Sequence, residues 1–133
     1  LSGYFGRDKF TFNNTKRSFS TRIPWGNSTA TLRWNHVFNK KLFANTTAVY
    51  NDYKFELAGR QNDFNINLSS GIRDLNLKTD FDFYPVPEHK LKFGIQYTHH
   101  SFLPNIVSGS QDSVIFEPNN ASKKLANEYA VYI

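Results

Sequence analysis

DLNLKTDFDFYPVPEHKLKFGIQYTHH, residues 74–100, decides the fold. Every second residue from Leu75 is Leu75, Leu77, Thr79, Phe81 and Phe83, while the alternates are Asp74, Asn76, Lys78, Asp80 and Asp82. After the break Pro85-Val86-Pro87-Glu88-His89 the pattern resumes, with Leu91, Phe93, Ile95 and Tyr97 against Lys90, Lys92, Gly94, Gln96 and Thr98. Successive side chains of a strand point to opposite faces. The stretch therefore reads as two antiparallel strands joined by a short turn, with one apolar face and one charged face. The alternation alone does not say whether the apolar face meets a protein core or lipid.

Period two dominates outward from there, with no convincing period of 3.6. Six strands are expected: Tyr4–Phe12, Gly26–Phe38, Leu42–Leu57, Ser69–Tyr84, Lys90–Phe102 and one from about Lys123 to Ile133. In the second strand Ala30, Leu32, Trp34 and Phe38 alternate with Thr31, Arg33 and Asn35. The third has mixed parity. Leu42, Ala44, Ala48 and Tyr50 mark one face, but Phe43, Val49, Tyr53 and Phe55 mark the other. A bulge near Asn51-Asp52, or emergence from a membrane there, accounts for the switch. Turns at 39–41 and 85–89 are short, and connections at 13–25, 58–68 and 103–122 are read as long polar loops. Strands of this length, short turns on one side and long loops on the other are the plan of an outer-membrane barrel.

Composition agrees with that plan. Only 39% of the 133 residues are apolar, yet 17% are aromatic, so the aromatics serve more than a core. No run of 18 apolar residues is present, which excludes a transmembrane helix but not a barrel, whose strands expose only alternate residues to lipid. Phe38 and Phe43 flank one short turn, and Phe81, Phe83, Tyr84 and Phe93 the other, as an interfacial aromatic girdle would. Core packing by ordinary β-formers is the competing explanation. The chain has no Cys, so a disulfide framework and a thiolate metal site are excluded. It has no Met and opens on Leu1-Ser2-Gly3, so a processed chain or a piece of a larger one is expected. A net charge of +5 raises nucleic acid as a partner, but the basic residues are scattered and carry no such motif.

The segments NSTATLRWNHVFNKKLFANTTAVYNDYKFEL, SSGIRDLNLKTDFDFYPVPEHKLKFGIQYTHHSFLPN and NEYAVYI resemble the β-barrel part of TonB-dependent receptors of Bacteroidota, the type with a carboxypeptidase-like regulatory domain. The resemblance covers nearly the whole chain and rests on strand-turn-strand texture. It implies an all-β antiparallel up-and-down meander of about six strands within a larger transmembrane β-barrel of about 22 strands. Residues 1–133 would then be a fragment of one outer-membrane barrel domain, without plug or TonB box. The implied function is transport of a scarce or large nutrient (metal chelate, oligosaccharide or peptide) across the outer membrane of a Gram-negative bacterium. The implied partners are outer-membrane lipid, TonB through other parts of the parent chain, and a surface lipoprotein. A smaller outer-membrane barrel or adhesin without transport, or a soluble β-sandwich binding module, are the alternatives. The short turns are expected in the periplasm.

On this reading the lumen-facing candidates are Arg33, Asn35, Asp74, Asn76, Lys78, Asp80, Asp82, Lys92 and Gln96. The lipid-facing candidates are Leu32, Trp34, Leu75, Leu77, Phe81, Phe83, Leu91, Phe93, Ile95 and Tyr97. Phe102, Gln111 and Phe116 are candidates for a ligand loop within Leu103–Ser122, because loops on a rigid scaffold carry recognition. No enzyme activity, cofactor or metal site is expected. His99 and His100 are adjacent and fall on opposite faces of a strand, so they cannot chelate one ion together. Asp80 and Asp82 share a face about 6.6–7 Å apart along the strand. That spacing resembles paired catalytic acids, but Lys78 and Lys92 as charge partners explain it more simply. The Asn-x-Ser/Thr triplets at Asn13, Asn27, Asn45, Asn67 and Asn120 are read as chance in an Asn-rich chain.

Overall fold

A computed structural model describes residues 1–111, 114–116 and 122–133. They form one antiparallel sheet: β1 (Ser2–Asn14), β2 (Phe19–Asn39), β3 (Leu42–Gln61), β4 (Phe64–Val86), β5 (His89–Gln111), β6 (Val114–Phe116) and β7 (Lys124–Tyr132). Each strand from β1 to β5 pairs with the next. β6 and β7 both pair β5, at Gly109–Gln111 and Gly94–Phe102, so they occupy one column of the sheet. The meander is thus six columns wide.

The strands are longer than their alternation suggested. β2 to β5 run 21, 20, 23 and 23 residues. The expected long loops at 13–25 and 58–68 are strand almost to the tip. One 3-10 turn at Thr15–Arg17 closes β1 to β2, and Asn62-Asp63 close β3 to β4. Residues 103–111, also expected as loop, continue β5. The reason is that polar composition does not break a strand wetted on both faces; it only removes the alternation by which the strand is recognised. Asn62 supports its turn with φ 51°, a left-handed conformation that Asn tolerates better than most residues. At the opposite end Asn39 Oδ1 accepts from the backbone N–H of Lys41 at 2.8 Å and of Leu42 at 3.0 Å, closing the Lys40-Lys41 turn.

β3 pairs β4 without interruption from Leu42↔Phe83 to Gln61↔Phe64. The mixed parity of β3 is therefore not a bulge: the chemistry of the two faces changes along an unshifted strand. A register shift does occur between β4 and β5, at Ser69/Gly71, where β5 carries an extra residue near Pro104. Proline has no N–H for the ladder, and a bulge accommodates it.

No second layer covers the sheet among the described residues. Ala44 is the one buried hydrophobic side chain there, whereas Leu77, Ile95 and Val131 are 47%, 56% and 83% exposed.

Candidate functional site

The registers join β2, β3, β4, β5 and β7 into continuous cross-strand rows. One row is Leu32–Ala48–Leu77–Tyr97–Tyr129, and the next is Trp34–Thr46–Thr79–Ile95–Val131. Towards the short turns Ala44, Phe81 and Phe93 follow, then Leu42, Phe83 and Leu91. All ten residues proposed from sequence as lipid-facing share this Leu77 face. Its aromatics interlock, with Phe81 stacked on Phe93 at 5.0 Å and Tyr97 tilted against Tyr129 at 5.1 Å between ring centroids. No charged residue stands on this face between Ala30 and Phe38, Leu42 and Tyr50, Leu75 and Phe83, or Leu91 and Tyr97. Three of those segments are nine residues long, and a tilted strand needs about 9–11 to cross a bilayer.

The interleaved rows form the Lys78 face: Arg33–Thr47–Lys78–Gln96–Ala130 and Asn35–Asn45–Asp80–Gly94–Tyr132. All nine residues proposed as lumen-facing share it. Most of its charges are paired. Lys78 Nζ lies 3.2 Å from Asp80, and Asp82 is met by Lys90 at 3.0 Å and Lys92 at 3.7 Å. Tyr132 donates to Asp80 by passing across Gly94. A Cβ on Gly94 would lie 2.5 Å from Tyr132 Cζ and 2.8 Å from Thr79 O, so only glycine leaves the ring its path. Asn76 donates to Thr98 Oγ1 at 2.7 Å. Both aspartates are thus engaged, and the face is a web of ion pairs and hydrogen bonds rather than a free acid pair.

His99 and His100 diverge as expected: His99 meets Asn127 at 2.8 Å on one face, and His100 meets Asp74 at 2.7 Å and Glu128 at 3.6 Å on the other. No group of three or more His, Cys, Asp or Glu able to hold a metal gathers among the described residues.

Above the row Ala30–Tyr50–Leu75–His99 the two faces exchange character. The Leu77 face becomes mostly polar, with Ser28, Asp52, Arg73 and Ser101 in the next row between Phe5 and Leu125, Leu103 and Ile106 beyond it on β5, and Arg73 Nη2 donating to Asp52 at 3.0 Å. The Lys78 face becomes apolar and aromatic, carrying Trp25, Tyr53, Phe55, Ile72, Leu68 and Phe102. Sequence reading missed this second apolar surface, although the mixed parity of β3 was its signal. Of the ligand-loop candidates, Phe102 stands on that surface beside Ile72, and Gln111 ends β5 opposite Val114. Both are strand residues, a correction to the loop expected there. Phe116 pairs Gly109 through β6, and its side chain lies outside the described residues.

No family model matches the chain. No curated protein matches it either. Among solved structures it is similar to the ferric yersiniabactin uptake receptor FyuA from Yersinia pestis, with a TM-score of 0.57 and 12% sequence identity over 97% of this chain. The match spans 22% of the length of that receptor. At this identity the likeness is one of fold: the meander has the fold of a stretch of receptor β-barrel wall.

Proposed function

We propose that this chain is a wall segment of a TonB-dependent outer-membrane transporter that takes up a scarce or large nutrient. One observation carries the reading: a single-layer sheet with an uncovered apolar band, about one bilayer crossing tall, backed by a polar face on which most charges are paired. In water such a band would aggregate, and the unpaired outer edges of β1 and β7 would recruit other strands. In a barrel, lipid covers the band, neighbouring strands cover the edges, and the Lys78 face lines the lumen. The strand-turn-strand texture resembling Bacteroidota receptors and the fold likeness to an uptake receptor support the same reading. TonB would act through other parts of the parent chain, and a surface lipoprotein is a further candidate partner.

The aromatic surface above the band, with Trp25, Tyr53, Phe55 and Phe102, is where an entering metal chelate, oligosaccharide or peptide would first touch the wall. The test has two steps. An immunoblot of separated membranes with an antibody to residues 103–122 should show a band several times larger than 15.4 kDa in the outer-membrane fraction. Uptake by that parent protein should stop when TonB is deleted. A 15.4 kDa soluble band would overturn the reading, and TonB-independent function in the outer membrane would favour a smaller barrel or adhesin.

A further inference from the structure

On the Lys78 face the row Asn51–Asp74–His100–Ala126 separates two chemistries. Directly above it stand Tyr53, Ile72 and Phe102, and directly below it Asn76 and Thr98. In this row His100 lies between two carboxylates on different strands. Its Nδ1 is 2.7 Å from Asp74 of β4, and its Nε2 is 3.6 Å from Glu128 of β7. Asp74 is directly opposite His100, whereas Glu128 reaches up from the next row, past Ala126. All three lie above the apolar band, whose segments end at Leu75, Tyr97 and Tyr129. Among the described residues Asp74 and Glu128 pair with no cation other than His100. Lys124 stands one row above, opposite Phe102, and Lys78, two rows below Asp74, is held by Asp80.

We propose that His100 is a proton switch in the wall: protonated, it holds Glu128 against the sheet, and neutral, it releases that carboxylate into the lumen below the aromatic surface. The lumen placement rests on the membrane reading above. Ionised carboxylates only accept hydrogen bonds, and a neutral imidazole has one N–H to give, whereas the imidazolium has two. Two carboxylates facing both ring nitrogens therefore suit the cation. On deprotonation the remaining N–H stays on Nδ1, at the shorter contact, and the Nε2 lone pair faces Glu128. Glu128, with a side chain 74% exposed, is free to turn away. The hydrogen bond to Asp74 lifts the imidazole pKa above its ordinary value; desolvation opposes it, and Glu128 adds to it. The tie is thus complete below about pH 6.5 and is lost as pH rises through the raised value of the folded protein. The cluster then passes from one net negative charge to two. An anionic substrate moving from Phe102 towards the polar rows meets a more repulsive wall, and a cationic one a more attractive wall.

The experiment follows His100 itself, in the full-length parent protein in isolated outer membranes. Deuterium exchange at its imidazole Cε1–H, read by mass spectrometry from about pH 5 to about pH 9, gives its titration midpoint. That midpoint should lie above about 6.5, fall in Glu128→Gln and fall further in Asp74→Asn. A midpoint that Glu128→Gln leaves unchanged would overturn the switch. A second measurement reads the released charge. Ala130 lies two residues from Glu128 on the same face, and both line a cavity of about 290 Å³ with Gln96 and Thr98. In an Ala130→Cys background, with any cysteine of the parent chain replaced, a cationic and an anionic methanethiosulfonate probe are compared. The ratio of their rates, cationic over anionic, should rise severalfold across the His100 midpoint, because the thiolate fraction cancels in the ratio. Adding His100→Gln should abolish the rise, and a rise that persists without His100 would refute the release of Glu128. Absence of the parent protein from the outer-membrane fraction would overturn the membrane reading and the lumen placement with it. Failure of either measurement in a protein present there overturns the switch alone.

Discussion

Replacing Ile95 with Arg tests the facing of the whole sheet. Ile95 lies mid-band, between Thr79 and Val131, and Gln96 is the next residue on the opposite face, between Lys78 and Ala130. Arginine on the lipid face near the midplane costs about 2–4 kcal/mol. Ile95 is 56% exposed within the sheet, and that share of the about 1.5–3 kcal/mol for burying an aliphatic side chain is lost as well. The expected total for Ile95→Arg is about 3–6 kcal/mol. Gln96→Arg introduces the same group at the next residue along the chain, but into a polar row. It faces Lys78 across the strand pair, a like-charge contact costing about 0.2–1 kcal/mol. The gap between the variants is at least about 2 kcal/mol, or about 30-fold in the folding equilibrium. Urea-titrated folding of the full-length receptor into lipid vesicles, read by the mobility of the folded form on unheated gels, measures it. Costs agreeing within about 0.5 kcal/mol, or a larger cost for Gln96→Arg, would refute the facing.

Phe81→Arg should likewise impair assembly more than Asp80→Arg, by a smaller margin because Phe81 lies nearer the band's edge, where the penalty falls; membrane-assembly yield compares them. Gly94→Val should destabilise by about 1–3 kcal/mol through collision with Tyr132, and adding Tyr132→Ala should recover part of that loss in the same urea titration. Asn39→Ala removes the acceptor for two turn N–H groups and should cost about 1 kcal/mol, with Asn39→Asp restoring most of it. Trp25→Ala/Phe55→Ala should leave assembly at wild-type yield but lower substrate uptake, measured with energised cells.

The lower half of the sheet was legible residue by residue. Around 74–100 the environments differ on the two faces, so selection for each leaves period two in the chain, and the registers confirm that Leu77 and Tyr97, or Lys78 and Gln96, are direct neighbours. The upper half was read as loop because Asn, Ser, Thr and Gly dominate one face there and mask the strand beneath. Asn65, Asn67 and Ser69 are successive residues of one face of β4, opposite Ser110, Ser108 and Ile106. Nothing local says that such a stretch is paired; that follows only from the hairpin carrying both strands upward in register. Tyr53 and Phe55 pointed to an inversion of faces, but a bulge explained them equally until the unbroken register of β3 with β4 excluded it.

The line along which the faces exchange is itself informative. On the Leu77 face the continuous apolar band reaches Ala30, Tyr50 and Leu75 on β2, β3 and β4, and Tyr97 and Tyr129 on β5 and β7. Above it the central strands turn polar within one row, at Ser28, Asp52 and Arg73, while Phe5 and Leu125 extend apolar character in that same row at the two edges. A headgroup plane at the top of the band would favour side chains with an apolar body and a polar tip there. The tyrosines at that line behave accordingly: Tyr50 donates to Asp52 at 3.5 Å and Tyr97 to Asn127 at 2.9 Å, each turning its hydroxyl away from the band. An amphipathic ring with its body in hydrocarbon and its hydroxyl in the headgroups is the arrangement a membrane interface selects.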